Sequence, residues 1–121
     1  MKPVLVNGEL WNINLVPPNS PLLVDRTGTL RIATADPDTL SINISNALTP
    51  PLLDQVVLHE VAHAITVSYG LLPPLRSTIP DYLHVLVEEW AVELLEKYSI
   101  EAIMLASESL GRPLCIKGTC L

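Results

Sequence analysis

The hydrophobic pattern of this 121-residue chain changes period once, between Asn46 and Pro51, and that single change limits what it can fold into. Before it, apolar and polar residues alternate. Trp11-Asn12-Ile13-Asn14-Leu15-Val16, with Asn7-Gly8 before it and Pro17-Pro18-Asn19-Ser20-Pro21 after it, reads as a half-buried strand between turns. Leu22-Leu23-Val24 runs into a turn at Asp25-Arg26-Thr27-Gly28. Residues 29–34 begin a new alternation, Asp36-Pro37-Asp38 breaks it, and residues 39–45 resume it with Leu40, Ile42 and Ile44 on one face, which predicts an antiparallel hairpin. After the change the period is helical. Thr49 suits an N-cap and Pro50 the first helical position, apolar residues recur at Leu53, Val56, Val57, Ala64 and Ile65, and Gly70 offers a C-cap, so a helix spans about 50–69. The proline-rich stretch 71–80 is a surface loop that could border a cleft. A second helix follows over 81–98, its core stripe formed by Leu83, Val87, Trp90, Ala91, Leu94 and Tyr98, and residues 100–110 are helix-compatible up to Gly111. Strands followed by helices make an α+β domain, with a small antiparallel N-terminal sheet packed on two main helices.

The first helix carries His59-Glu60-Val61-Ala62-His63, an H-E-x-x-H pattern. Residues four apart share one helix face, so both imidazoles can converge on a single ion, while Glu60 lies about 100° around the axis, within reach of a water rather than of the ion. A shuffle of this composition produces the pattern in about half a percent of cases, and here it also falls inside an apolar helix, the context its chemistry requires. Zinc in a catalytic site takes three protein ligands and leaves a position open. Two histidines are therefore one ligand short.

Composition narrows the surroundings of that site. One domain is the natural unit at this length. A net charge of −6 with only 7 basic residues argues against nucleic acid as a partner. No apolar run reaches the 18 or so residues of a membrane span, and Met1-Lys2-Pro3-Val4 does not open a signal peptide, so the chain reads as intracellular and cytoplasmic. The mean hydropathy of +0.39 is high for a soluble protein and suggests apolar surface covered by a protein partner or a second copy.

The third ligand must come from elsewhere. A metzincin would place a histidine six residues after His63 and a glycine at position 66, where this chain has Tyr69 and Thr66. The remaining solution is a glutamate on the next helix, and Glu88 and Glu89 are both available. On helical angles Glu88 flanks the expected core stripe, whereas Glu89 shares a side with Glu93 and Glu96 and reads as a solvated face; Glu88 is therefore favoured over Glu89.

The order of strands, then Val-Val-Leu-His59-Glu60-Val-Ala-His63-Ala, then Val87-Glu88-Glu89-Trp90-Ala91 on a second helix, resembles the small gluzincins of the ImmA/IrrE-type metallopeptidases, many of them short phage or prophage proteins. The resemblance covers roughly residues 25–98. It implies a zincin-like fold, zinc held by His59, His63 and a glutamate in an E-x-x-A context that maps to Glu88 with Ala91, and Glu60 as general base. The sequence departs after Ala91, where Val92 stands in place of a frequent asparagine, and with no DNA-binding domain expected beside it, regulation of a repressor in cis is not implied. The activity implied is hydrolysis of a peptide or protein substrate, in which zinc acidifies a water and polarises a carbonyl while Glu60 carries the proton to the leaving amine. Tyr69, Arg76, Tyr82 and above all His84 are positioned in sequence to assist the oxyanion. A rival reading from another class is a zincin fold kept as a structural or interaction module. Cys115 and Cys120, spaced C-x4-C, fit no standard zinc knuckle and read as free thiols or a labile disulfide.

Overall fold

A computed structural model of the chain describes residues 1–116, 119 and 120, with the side chains of residues 116, 119 and 120 excepted. Four strands form one sheet: β1 (Val4–Val6), β2 (Glu9–Val16), β3 (Ala33–Asp36) and β4 (Ser41–Ser45). Their spatial order is β1-β2-β4-β3. β1 and β2 are joined by Asn7-Gly8, whose φ values of 47° and 80° are both positive, as a two-residue hairpin turn matching the strand twist requires. β1 itself has only three residues, too few for alternation to announce it.

The sheet is mixed rather than wholly antiparallel. β3 and β4 form the expected hairpin, with Ala33 opposite Ile44 and Asp36 opposite Ser41, but β4 also pairs parallel with β2, Ile13 opposite Ile42 and Leu15 opposite Ile44. Burial explains the insertion. Ile42 and Ile44 are completely inaccessible and need a neighbouring strand on each side, whereas β3, with alanines at 33 and 35, serves as the edge. Before β3 the chain makes a short 3-10 turn at Pro21–Leu23, capped by the Ser20 hydroxyl, which buries Leu23.

One face of the sheet packs on α1 (Leu52–Ser68). Val6, Trp11, Ile13, Ala33, Ile42 and Ile44 meet Val56 and Ala64 in the central core. Two polar bonds fix the C-terminal end of α1 to the first hairpin: Trp11 Nε1 donates to Ser68 Oγ at 2.7 Å and Asn7 Nδ2 to Ser68 O at 2.9 Å. The helix starts at Leu52 with Pro51 at the cap position and no side-chain cap, two residues later than Thr49 as N-cap would give. At its end Gly70, with φ 61°, lets Gly70 N and Leu71 N bond back to Val67 O and Thr66 O.

The stretch after Gly70 holds a five-residue helix, α2 (Leu72–Arg76), and a 3-10 turn at Asp81–Leu83. Then α3 runs unbroken from His84 to Leu110, joining what the sequence divides into helices over 81–98 and 100–110, and ends at Gly111 with φ 67°. β5 (Cys115–Ile116) and β6 (Thr119–Cys120) make a small hairpin with Cys115 opposite Cys120. The Cys120 side chain lies outside the described residues, and with it the expectation about the thiol pair. No helix among the described residues is long and apolar enough to cross a membrane.

The largest departure concerns which side of α3 faces inward. Half of the stripe expected to be core is exposed, Trp90 being 63%, Leu94 45% and Tyr98 57% accessible, while Leu83, Val87 and Ala91 are only partly buried. The side packed on α1 instead carries Glu88, Glu89, Val92 and Glu96, of which Val92 is completely buried. Apolar residues occur all round this helix, so hydrophobicity alone does not fix its rotation. What fixes it is the pair of histidines on α1, which offers the carboxylates partners that solvent would otherwise supply.

Candidate metal centre

α1 has two faces. The side opposite the sheet presents His59 and His63, one turn apart, with ring centroids 5.0 Å apart. α3 crosses here and brings three acidic groups to the two rings. Glu89 reaches both Nε2 atoms, with Oε1 3.2 Å from His63 Nε2 and Oε2 3.7 Å from His59 Nε2. Glu96 Oε2 lies 2.8 Å from His59 Nδ1, and Glu88 Oε1 3.4 Å from His63 Nδ1. Glu60, from α1 itself, is buried beside them.

This arrangement sorts the nitrogens. A carboxylate can only accept, so Glu96 and Glu88 each favour a proton on the Nδ1 they face, which leaves Nε2 as the lone-pair nitrogen of a neutral ring. Histidines that bind metals are usually held in this way, by a carboxylate on the nitrogen that does not coordinate. One ring nitrogen of each histidine and a Glu89 oxygen lie within 4.8 Å of one another, so His59, His63 and Glu89 could hold a metal ion. The donor set of two imidazoles and one carboxylate fits zinc and leaves a coordination position for a fourth group.

The charges around the site perturb its members. Burial pushes the Glu60 carboxyl above its ordinary range, opposed by the nearby His63 and His59. For His63, burial acts downward, but Glu88, Glu60 and Glu89 together outweigh it and raise the imidazole. Glu88 is held low by His63 and, against the effect of its own partial burial, by Arg76. Metal-free, the site is thus a compact acidic cluster shared between two rings. A cation is the group that would relieve it.

Glu88, favoured on helical angles, is therefore placed on the far nitrogen of His63, and its other oxygen accepts from Arg76 Nη2 at 2.8 Å. The carboxylate facing the Nε2 of both rings is Glu89, because α3 is turned with Val92 rather than Trp90 inward. Glu96, assigned by pattern to a solvated face, has a side chain only 8% exposed. Its seven-residue spacing from Glu89, two turns on the same face, was the available signal. Of the four residues considered for oxyanion support, His84 has its Nε2 3.0 Å from Arg76 O and 3.1 Å from Ile79 O, which commits that nitrogen to two carbonyls. Arg76 is engaged by Glu88, and Tyr82 and Tyr69 are exposed.

Beside the centre lies a cleft of about 340 Å³. Ile32, Ala33, Leu52 and Val56 form its apolar walls, Gln55 and Arg31 line it further, and His59, Glu60 and Glu96 border it on the side of the centre. Ala33 belongs to β3, so the cleft opens along the edge strand of the sheet.

No protein-family model, curated protein or solved structure matches this chain.

Proposed function

We propose that the protein is a zinc-dependent peptidase of zincin-like fold, in which His59, His63 and Glu89 hold the ion and Glu60 is the general base. The observation that carries this reading is the division of labour around the two rings: both Nδ1 atoms are engaged by carboxylates while both Nε2 atoms converge with Glu89. When bound, zinc supplies a Lewis acid for a carbonyl and acidifies a water. Glu60, buried next to both histidines, accepts the proton of the attacking water and returns it to the departing amine. The cleft and the edge strand favour an extended peptide over a compact substrate: β3 can accept a further strand through its backbone, and the apolar walls of the cleft suit an apolar side chain.

A second reading is favoured by the outer side of α3. Val85, Leu86 and Trp90 are 73%, 66% and 63% exposed, an apolar surface of the kind that marks protein association. On that reading the centre is structural and the fold serves as an interaction module. Glu60→Gln separates the two. It should bind zinc with unchanged stoichiometry while hydrolysis of a peptide library, inhibited by chelator in the wild type, falls about 100-fold or more. Wild-type turnover in Glu60→Gln would end the general-base role, and no zinc-dependent cleavage by the wild type would leave the structural reading.

A further inference from the structure

One part of the surroundings of the centre belongs to neither α1 nor the sheet. The short helix α2 lies between Gly70 and the start of α3, and its last residue, Arg76, sends its guanidinium to Glu88, with Nη2 2.8 Å from Oε2. The other oxygen of the same carboxylate faces His63 Nδ1. The three side chains thus form a line: Arg76, Glu88, His63, then Glu89 across the ring at 3.2 Å from Nε2. An exposed arginine–glutamate pair is usually worth little, since both side chains must be ordered in water. Here the backbone of the arginine is itself fastened. His84 Nε2 lies 3.0 Å from Arg76 O and 3.1 Å from Ile79 O, and because carbonyls only accept, this nitrogen carries the proton and donates to both. His84 is the first residue of α3 and Glu88 lies one turn later, so the arginine is anchored by the same helix whose carboxylate it holds.

We propose that Arg76 is a positioning residue of the metal centre: it fixes Glu88 against His63 Nδ1 and so holds the His63 ring with Nε2 turned to Glu89. This rests on the zinc-site reading above. Without the guanidinium, Glu88 keeps one partner and gains the freedom of a partly solvated side chain, and the His63 ring loses the constraint on its rotation and tautomer. His59 shares Glu89 with this line but has its Nδ1 engaged separately, by Glu96 from two turns further along α3.

The test compares wild type, Arg76→Gln, Arg76→Lys, Glu88→Gln and the double variant Arg76→Gln/Glu88→Gln. Zinc affinity is measured by competition with a chromophoric chelator, the ring nitrogens of His63 and His59 by ¹⁵N NMR, and the site geometry by visible absorption after loading with cobalt(II). Groups that orient a metal-binding histidine typically change affinity by 10–100-fold. Arg76→Gln should therefore weaken zinc binding by about 10-fold at unchanged stoichiometry, with Arg76→Lys recovering part of the loss. The double variant should be no weaker than Glu88→Gln, because the arginine acts through that carboxylate. The His63 nitrogen signals should shift towards mixed tautomers while those of His59 stay put, and the cobalt spectrum should change. Unchanged affinity and unchanged His63 signals in Arg76→Gln, or additive losses in the double variant, would overturn the proposal. Failure of the wild type to bind zinc at all would instead overturn the metal reading, and the metal-free NMR comparison would still show whether Arg76 controls His63.

Discussion

The two sides of α1 are sealed by opposite means. Towards the sheet, Val56 and Ala64 meet Trp11, Ile13, Ile42 and Ile44, and the contact is apolar and tightly closed. Towards α3, Val92 is the one fully buried apolar residue among the described residues of that helix, and the polar part of the contact is mainly histidine against carboxylate, with Gln55 Nε2 donating to Glu96 Oε1 at 3.4 Å. The first interface draws its stability from removing area from water and needs nothing from outside. The second gathers Glu60, Glu88, Glu89 and Glu96 about two rings and is held by charge, so its stability depends on protons or on a cation. One helix thus belongs both to a core that is indifferent to solution conditions and to a centre that is not.

The largest effect should come from the apolar side. Trp11→Ala removes a completely buried indole and its bond to Ser68, and it should cost about 3–5 kcal/mol of unfolding free energy. Urea denaturation with and without zinc checks this: the loss should be the same in both. A loss that vanished on adding zinc would show the two sides to be one cooperative unit.

Next in size is the choice of carboxylate. Glu89→Gln should weaken zinc binding by more than about 100-fold, a change of roughly 2.7 kcal/mol, whereas Glu88→Gln should weaken it by about 10-fold, as expected of a residue that orients a ligand. The reverse order in a chelator competition would restore Glu88 as the third ligand and mean that α3 is turned otherwise in the metal-bound protein. Neither substitution should alter the sheet, so backbone amide protection in β2 and β4 should stay as in the wild type.

The smallest effect is the pH dependence of the metal-free protein. Glu60 and His63 are both raised in the fold, from ordinary values of 4.5 and 6.5, so the native state binds more protons than the unfolded chain as pH passes above each ordinary value. Such groups lose their contribution as pH rises through the folded pKa. Glu88 is lowered from 4.5 and has the opposite sense, its contribution disappearing as pH falls below that value. Metal-free Tm should therefore decline from about pH 6 to pH 8, while with zinc present it should rise over that range, because coordination requires His63 deprotonated. Equal slopes with and without zinc would mean that His63 is not a ligand.

The same contrast explains what could be read from the residues. The sheet side follows from alternation: Trp11 and Ile13 on β2 and Ile42 and Ile44 on β4 are spaced two apart, and the helix period of α1 is punctuated by Gly70. The H-E-x-x-H spacing likewise puts His59 and His63 on one turn by geometry alone. The parallel pairing of β2 with β4 is a long-range choice, made by the burial of Ile42 and Ile44, which no local pattern encodes. The rotation of α3 was illegible for a related reason. A period of apolar residues predicts the inward side only when the interface is apolar, and here the inward side is set by complementarity to two imidazoles on another helix. Trp90 and Leu94 looked like core because they are large and correctly spaced; Glu89 and Glu96 looked solvated because charge usually is.

α3 contains 27 residues, against 17 in α1. At 1.5 Å per residue it is about 40 Å long, and the stretch from Glu89 to Leu110 alone spans roughly 32 Å. The helix is therefore a stiff rod whose carboxylate contacts with α1 lie in its first half. A tilt of about 5° at Glu89 would move the Leu110 end by about 3 Å. Along that far arm Ile100, Met104 and Leu105 are exposed. A small rotation where the helix meets α1 would thus be amplified into displacement of this remote apolar surface, and the length of the rod sets the gain.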